Sequence, residues 1–340
     1  MSADAPVHGT APRAPVFIFG SGRSGTSLLA RMLDSHPAIA VPYESHLYNR
    51  IFPLVRDSDL TSAGAREHVL REILRMREFQ YWTPRPSLET TLAAIRRPSF
   101  HGIVEALMER WTASRGKRRW GEKTPHHTLH WRTIREGFPD LKVVHIVRDG
   151  RDVALSFRYA PFGPKHVYQA AQHWTRYLAS AEEAGAALGE SAFLSVRYED
   201  LIEDAPRELR RICAFLGEDY DPAMLEYHGR GVAYPTDARN SRNLASPVRG
   251  DSRGRWRAGL TSREQRIFEA VGGEYLRRYG YPTGEKRARI SGWERISCTY
   301  IEHPPRRLFG MLTNRGGYGF ALEGLRLSLT LRLGHFTGSP

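Results

Sequence analysis

Cysteine is almost absent from this 340-residue chain: Cys213 and Cys298 are the two there are. Two thiols cannot build a disulfide framework, so an ordinary core in a reducing compartment is expected, and with it a cytoplasmic location. No apolar run approaches the ~20 residues a membrane-spanning helix needs. Residues 1–14 are rich in Ala and Pro and have no apolar core of the secretory kind. No internal repeat is evident. Acidic side chains fall short of basic ones, 37 against 50, leaving a formal net charge of +13 carried mostly by arginine. Such an excess suits a polyanionic ligand or an acidic surface and is silent about fold.

Lysine is also missing from one telling place. Val16–Phe19 is a short apolar run bounded by Pro15 and Gly20, and "GSGRSGTS" follows it. Leu28, Leu29, Met32 and Leu33 then recur at helical spacing until "HP" ends the helix. Strand, glycine-rich loop and helix N-terminus together offer backbone amides to an anion. The nucleotide-triphosphatase version of this loop needs a Lys directly after Gly25, but Thr26 stands there and Arg23 sits inside the loop.

Further along, "LKVVHIV" (141–147) and "AFLSVRYEDL" (192–201) read as buried strands. Helical patterns cover 61–78, 99–115, 151–159, 166–188, 205–217 and 262–279, and another helix starts near Pro125. Strands separated by helices predict an α/β fold with a P-loop-like parallel sheet flanked by helices, with further helical insertions. Ligands of such sheets lie at the carboxyl ends of the strands. Arg23, Arg148 and Tyr198 all fall there. Past about 285 the composition turns to Arg and Gly. Leucines at 325, 327, 329, 331 and 333 alternate with other residues, a period of two that predicts a strand.

In "VRDGRDVALS" the fork of Arg148 and the hydroxyl of Ser156 can share one phosphate. This run and "GSGRSGTS", with "GEKTP" at 121–125 and "VRYEDL" at 196–201, stand in the order found in the sulfotransferases that use 3′-phosphoadenosine 5′-phosphosulfate (PAPS). The chain resembles that family over roughly residues 15–280, and its protein-tyrosine and carbohydrate branches more than the cytosolic steroid and phenol branch. The resemblance implies a disordered tail at 1–14, a sulfotransferase domain at 15–284 and a C-terminal extension at 285–340. It implies a 5′-phosphosulfate on Gly22, Arg23, Ser24, Gly25, Thr26 and Ser27, and a 3′-phosphate on Arg148 and Ser156. Tyr198, Arg249 and Arg255 would touch the nucleotide. Arg23 and Lys123 would stabilise the departing phosphate of the product, adenosine 3′,5′-bisphosphate. Glu44 would be the general base, with His46 as its rival.

No metal is expected, because His126, His127 and His130 lack a convincing further ligand set. A P-loop phosphotransferase stays open as an alternative but would need the absent lysine. A basic nucleic-acid-binding protein stays open on charge alone, although no nucleic-acid motif is present. Trp82, Tyr81, Trp111, Trp174 and Tyr177 suit stacking on a sugar or a phenol, or a core. The acceptor class stays open among small molecules, glycans and tyrosine. Peripheral membrane contact or homo-oligomerisation would run through the C-terminal extension.

Overall fold

A computed structural model describes residues 13–160, 162–228, 244, 253–284, 288–306 and 315–333. Most of the expected N-terminal tail and Arg249 lie outside these residues. Arg13 is already anchored, through an ion pair with Glu218 at 2.7 Å.

Five strands, β1 (Val16–Phe19), β2 (Ile39–Ala40), β3 (Arg119–Glu122), β4 (Lys142–Val147) and β5 (Phe193–Arg197), form one sheet in the order β2-β3-β1-β4-β5. Every pairing is parallel. From β1 the chain goes to the edge strand β2 and returns to place β3 between them, then crosses to β4 and β5 on the other side. All five strands therefore release their loops at one edge.

Alternation along β1 feeds two cores. Phe17 and Phe19 face one apolar cluster, with Leu47, Tyr48, Trp111 and Val143. Val16 and Ile18 face the other, with Leu29, Leu33, Ile146 and Val196. The helices that cover the faces are α1 (Thr26–Asp34), α2 (Ala63–Leu74), α3 (Phe100–Ser114), α4 (Gly150–Tyr159), α5 (Val167–Leu188), α6 (Ala205–Leu216) and α7 (Ser262–Arg278). A short α8 (Gly292–Ile296) and a long α9 (Arg315–Leu333) follow.

Two strands run against their composition. In β3, "RWGE", all four residues are buried. Arg119 is matched by Glu218 at 3.1 Å and Glu122 by His127 at 2.7 Å. β2 has only two residues.

The expected C-terminal strand is a helix. In α9, Leu327 and Leu331, four residues apart, are buried in the cluster that holds Val55, Val69 and Ile73, whereas Leu325 and Leu329 are exposed. The alternating leucines thus split onto two stripes, and only one of them meets the body. Arg326 pairs with the buried Glu72, and Glu323 takes Arg50 at 2.8 Å. No helix among the described residues is long and apolar enough to cross a membrane.

Candidate active site

The carboxyl edge of the sheet delivers the site. Lys123, Arg148 and Tyr198 are each the first residue after a strand, following β3, β4 and β5. The glycine-rich loop follows β1, and Glu44 lies four residues beyond β2.

The loop itself is bent by backbone conformations that side chains resist. Arg23 has φ +72° and Gly25 φ +94°. A Cβ on Gly25 would sit 2.4 Å from the Tyr198 ring, so glycine lets that ring close under the loop. The Oγ atoms of Ser21 and Ser24 are joined at 2.7 Å, which ties the Ser24 side chain back into the loop. No side chain caps α1. By contrast Asp149, His166 and Thr261 cap α4, α5 and α7. The first-turn amides of α1, around Thr26 and Ser27, are donors without intrahelical acceptors. Such amides favour an anion.

Cations surround this turn. Arg23 Nε donates to Ser156 Oγ at 2.9 Å, and Arg148 donates to the Arg23 carbonyl at 3.2 Å. The Arg148 guanidinium lies over the Tyr198 ring, 4.6 Å from its centroid. Burial, and then repulsion from Arg148, pushes Arg23 down to about 10. Two neighbouring guanidiniums held in this way favour a bound dianion. Lys123, fully buried, donates to Ser27 Oγ at 3.1 Å and pairs with Glu44.

The remaining charges of "VRDGRD" are structural. Asp149 holds Arg151 and caps α4, and Arg151 reaches on to Glu269 at 2.9 Å. Asp152 accepts from the amides of Gly254 and Trp256, both at 2.8 Å. That tether brings the late basic segment, with its exposed Arg255, against α4.

Glu44 and His46, the two rival bases, touch each other at 3.2 Å. His46 Nδ1 lies 3.3 Å from the Asn49 side-chain amide, and Nε2 faces the Glu44 carboxylate. Burial drives the Glu44 carboxyl upward, but Lys123 and the His46 hydrogen bond outweigh it and hold Glu44 well below the usual carboxylate range.

Glu122, Ser45, Thr124 and His127, none of which had an expected part in positioning the site, order this side of it. Glu122 accepts from Ser45 Oγ and Thr124 Oγ1, both at 2.8 Å, and from His127 at 2.7 Å. His127 Nε2 in turn accepts from the Tyr48 amide. One buried carboxylate thus fixes the segment bearing Lys123 and the segment bearing Glu44. Its "GEKTP" neighbourhood was the available signal.

The histidines of this stretch do not form a metal-ligand set, since His127 spends both ring nitrogens on protein. Among the described residues His166, Cys298 and Glu302 could be grouped around an ion. Glu302 is already clasped by both Arg263 nitrogens, at 2.8 and 3.1 Å, and His166 Nδ1 accepts the Tyr168 amide. These bonds join the segment after α8 to α5 and α7.

From Glu44 a row of rings leads outward: His46, His126, Tyr177 and His173, with successive centroids 6.0, 6.2 and 4.5 Å apart. It ends at a cleft of about 430 Å³ lined by Gly163, Pro164, Gln169, Gln172, His173, Arg176 and His303. Gln169 Oε1 and His173 Nε2 have no hydrogen-bond partner among the described residues. The aromatics first considered for stacking are mostly core: Trp82, Trp111, Trp174 and Tyr177 are all buried.

A parallel sheet whose edge gathers an uncapped helix, two arginines and a lysine defines an α/β protein built to hold a phosphate-rich ligand. The sulfotransferase family profile matches residues 15–222, and the chain belongs to that family. It is 27% identical over 302 residues to the nodulation protein NoeE of Sinorhizobium fredii, covering 81% of this chain and 68% of that protein. To protein-tyrosine sulfotransferase A of Caenorhabditis elegans it is 24% identical over 276 residues, covering 78% and 67%. The sulfotransferase domain of the Synechococcus PCC 7002 olefin synthase has the same fold, with a TM-score of 0.55 at 23% identity over 82% of this chain and 98% of that one.

Proposed function

We propose that this sulfotransferase takes its sulfuryl group from PAPS and passes it to a hydroxyl of a polar acceptor bound in the cleft beside α5. The observation that carries the reading is the meeting of Arg23, Lys123 and Arg148 at one edge of the sheet, with Glu44 beside them. The amides of 22–27 would cradle the 5′-phosphosulfate, with Thr26 and Ser27 adding hydroxyls. Arg148 and Ser156 would take the 3′-phosphate, and Tyr198 would floor the site. Arg255 would approach from the tethered segment, and Arg249 is assigned on resemblance alone.

In-line transfer of a planar sulfuryl group puts negative charge on the departing phosphate. Arg23 and Lys123 are cations placed beforehand where that charge grows, which is the largest kind of catalytic contribution available here. Glu44 accepts the acceptor proton. Its ion pair with Lys123 must loosen for this, which happens as Lys123 turns toward the growing charge. The cleft supplies amide, imidazole and guanidinium groups beside Pro164, and these can hydrogen-bond the hydroxyl of an acceptor and orient it.

Adenosine 3′,5′-bisphosphate should bind more tightly than adenosine 5′-phosphate, in the presence of EDTA. A charge-assisted pair contributes ~1.5–3 kcal/mol, so the preference should be about 10- to 100-fold. Arg148→Ala should remove most of it, as read by calorimetry. Equal affinities in the wild type would overturn the 3′-phosphate site. Transfer assays with PAPS and with ATP, against a panel of glycans, phenols and tyrosine peptides, test donor and acceptor together.

A further inference from the structure

The stretch 292–306 is helical throughout, from α8 through a wider turn at Ser297–Glu302 to residues 303–306. Its inner side is firmly mounted. Cys298 is fully buried in the cluster of Val167, Tyr168, Ile267 and Phe268. The Cys298 carbonyl accepts from Gln169, and Glu302 is held by Arg263, His166 and Ser297.

Its outer side carries Trp293, Ile296, Tyr300 and Ile301, with exposures of 68, 48, 74 and 53%. The first three follow helical spacing along one face. A large indole and a phenol displayed this openly, with two isoleucines between and beside them, form a contiguous apolar stripe and not a scatter of single residues.

Among the described residues, the uncompensated charge around the stripe has one sign. Glu294 is bound by Arg266, and Glu302 by Arg263, so neither carboxylate faces solvent uncompensated. Arg289, Arg295 and Arg306 are exposed. Tryptophan and tyrosine settle at the boundary between lipid headgroups and acyl chains, and flanking arginines attract anionic headgroups. A second copy of this chain fits the face poorly, because a symmetric pairing would set the same arginines against one another on molecules of charge +13.

We propose that 292–306 is a peripheral docking surface for an anionic lipid bilayer, with Trp293, Ile296, Tyr300 and Ile301 entering the interface. His303, on the same stretch, lines the acceptor cleft. Docking would therefore hold the cleft mouth close to the membrane surface. The proposal does not depend on the donor assignment.

The test is sedimentation of the full-length protein with vesicles, either of phosphatidylcholine alone or of an equal mixture with phosphatidylglycerol. Binding is expected to the mixture and not to phosphatidylcholine alone, and to weaken as salt is raised. A Trp293→Ser/Tyr300→Ser double variant should bind the mixture at least ~10-fold less. It should keep its thermal transition and its affinity for adenosine 3′,5′-bisphosphate, since both side chains are exposed and remote from the loops. No binding by the wild type, or equal binding by the double variant, would overturn the proposal. So would sedimentation velocity without lipid showing a dimer that the double variant abolishes.

Discussion

Glu44 and His46 are two residues apart and meet at 3.2 Å because His46 adopts φ +53°, which folds the chain back on itself. Contact does not make them equivalent. His46 Nε2 faces the Glu44 carboxylate at 3.2 Å, a contact through which the histidine can position it. Glu44→Gln keeps the shape but cannot accept a proton. It should lower turnover by about 10²–10⁴-fold and leave nucleotide affinity nearly unchanged. His46→Asn should do much less, in side-by-side turnover and calorimetric measurements. The reverse ranking would make His46 the base.

The pH profile gives an independent check. Burial alone would raise Glu44, but Lys123 and His46 carry it well below the usual range. A carboxylate with a depressed folded value is stabilising above its unfolded pKa of ~4.3, and that stability is lost only as pH falls through the depressed value. Between pH 5 and 8, kcat/KM should therefore show no acid limb from Glu44. An acid limb in that range that vanishes in His46→Asn would transfer the role to the imidazole.

At the scale of elements, the loop after β1 depends on one glycine more than on its neighbours. Gly25 combines φ +94° with a Cβ position 2.4 Å from Tyr198, the same ring that carries Arg148. Gly25→Ala should abolish measurable binding of adenosine 3′,5′-bisphosphate while the protein still melts cooperatively. Gly22→Ala meets only the edge of Phe157, at 3.3 Å, and should reduce binding by less than ~10-fold. Equal losses in the two variants would mean that the loop is not held by the Tyr198 contact.

The same loop shows what a sequence can reveal. Glycines, hydroxyls and an arginine between an apolar run and a helix are local chemistry, and β1 and β4 are apolar because they lie inside the sheet with both faces covered. β3 could not be read that way. Its charges are neutralised by Glu218 and His127, and Glu218 lies about a hundred residues away in the chain. The cleft beside α5 was equally hidden: Gln169, Gln172, His173 and Arg176 become a wall only once Gly163, Pro164 and His303 are brought beside them. The leucines of α9 failed for a third reason, since alternation is compatible with a helix whenever only the residues four apart find a partner.

Across the whole molecule, the C-terminal extension is part of the packing and not an appendage. α9 places Leu327 and Leu331 in the main core, gives Glu72 its Arg326, and through Glu323 holds both Arg50 and the Arg77 amide. Burying each leucine contributes ~1.5–3 kcal/mol. Deleting residues 315–340 should lower the melting temperature by at least ~5 °C and expose apolar surface that promotes association. The effect on function should be uneven. The described polar contacts of α9 run to Arg50, His68, Glu72 and Arg77, so affinity for adenosine 3′,5′-bisphosphate should survive. Arg50, however, lies on the turn that begins at His46 and is held by Glu323 and Glu78 together. Without Glu323 that turn loses an anchor, and turnover should fall while the nucleotide still binds. Glu323→Ala alone should reproduce the fall in turnover with a much smaller loss of stability. If the truncated protein stays folded but no longer binds nucleotide, the extension belongs to the donor site, and the division at 284/285 has to move.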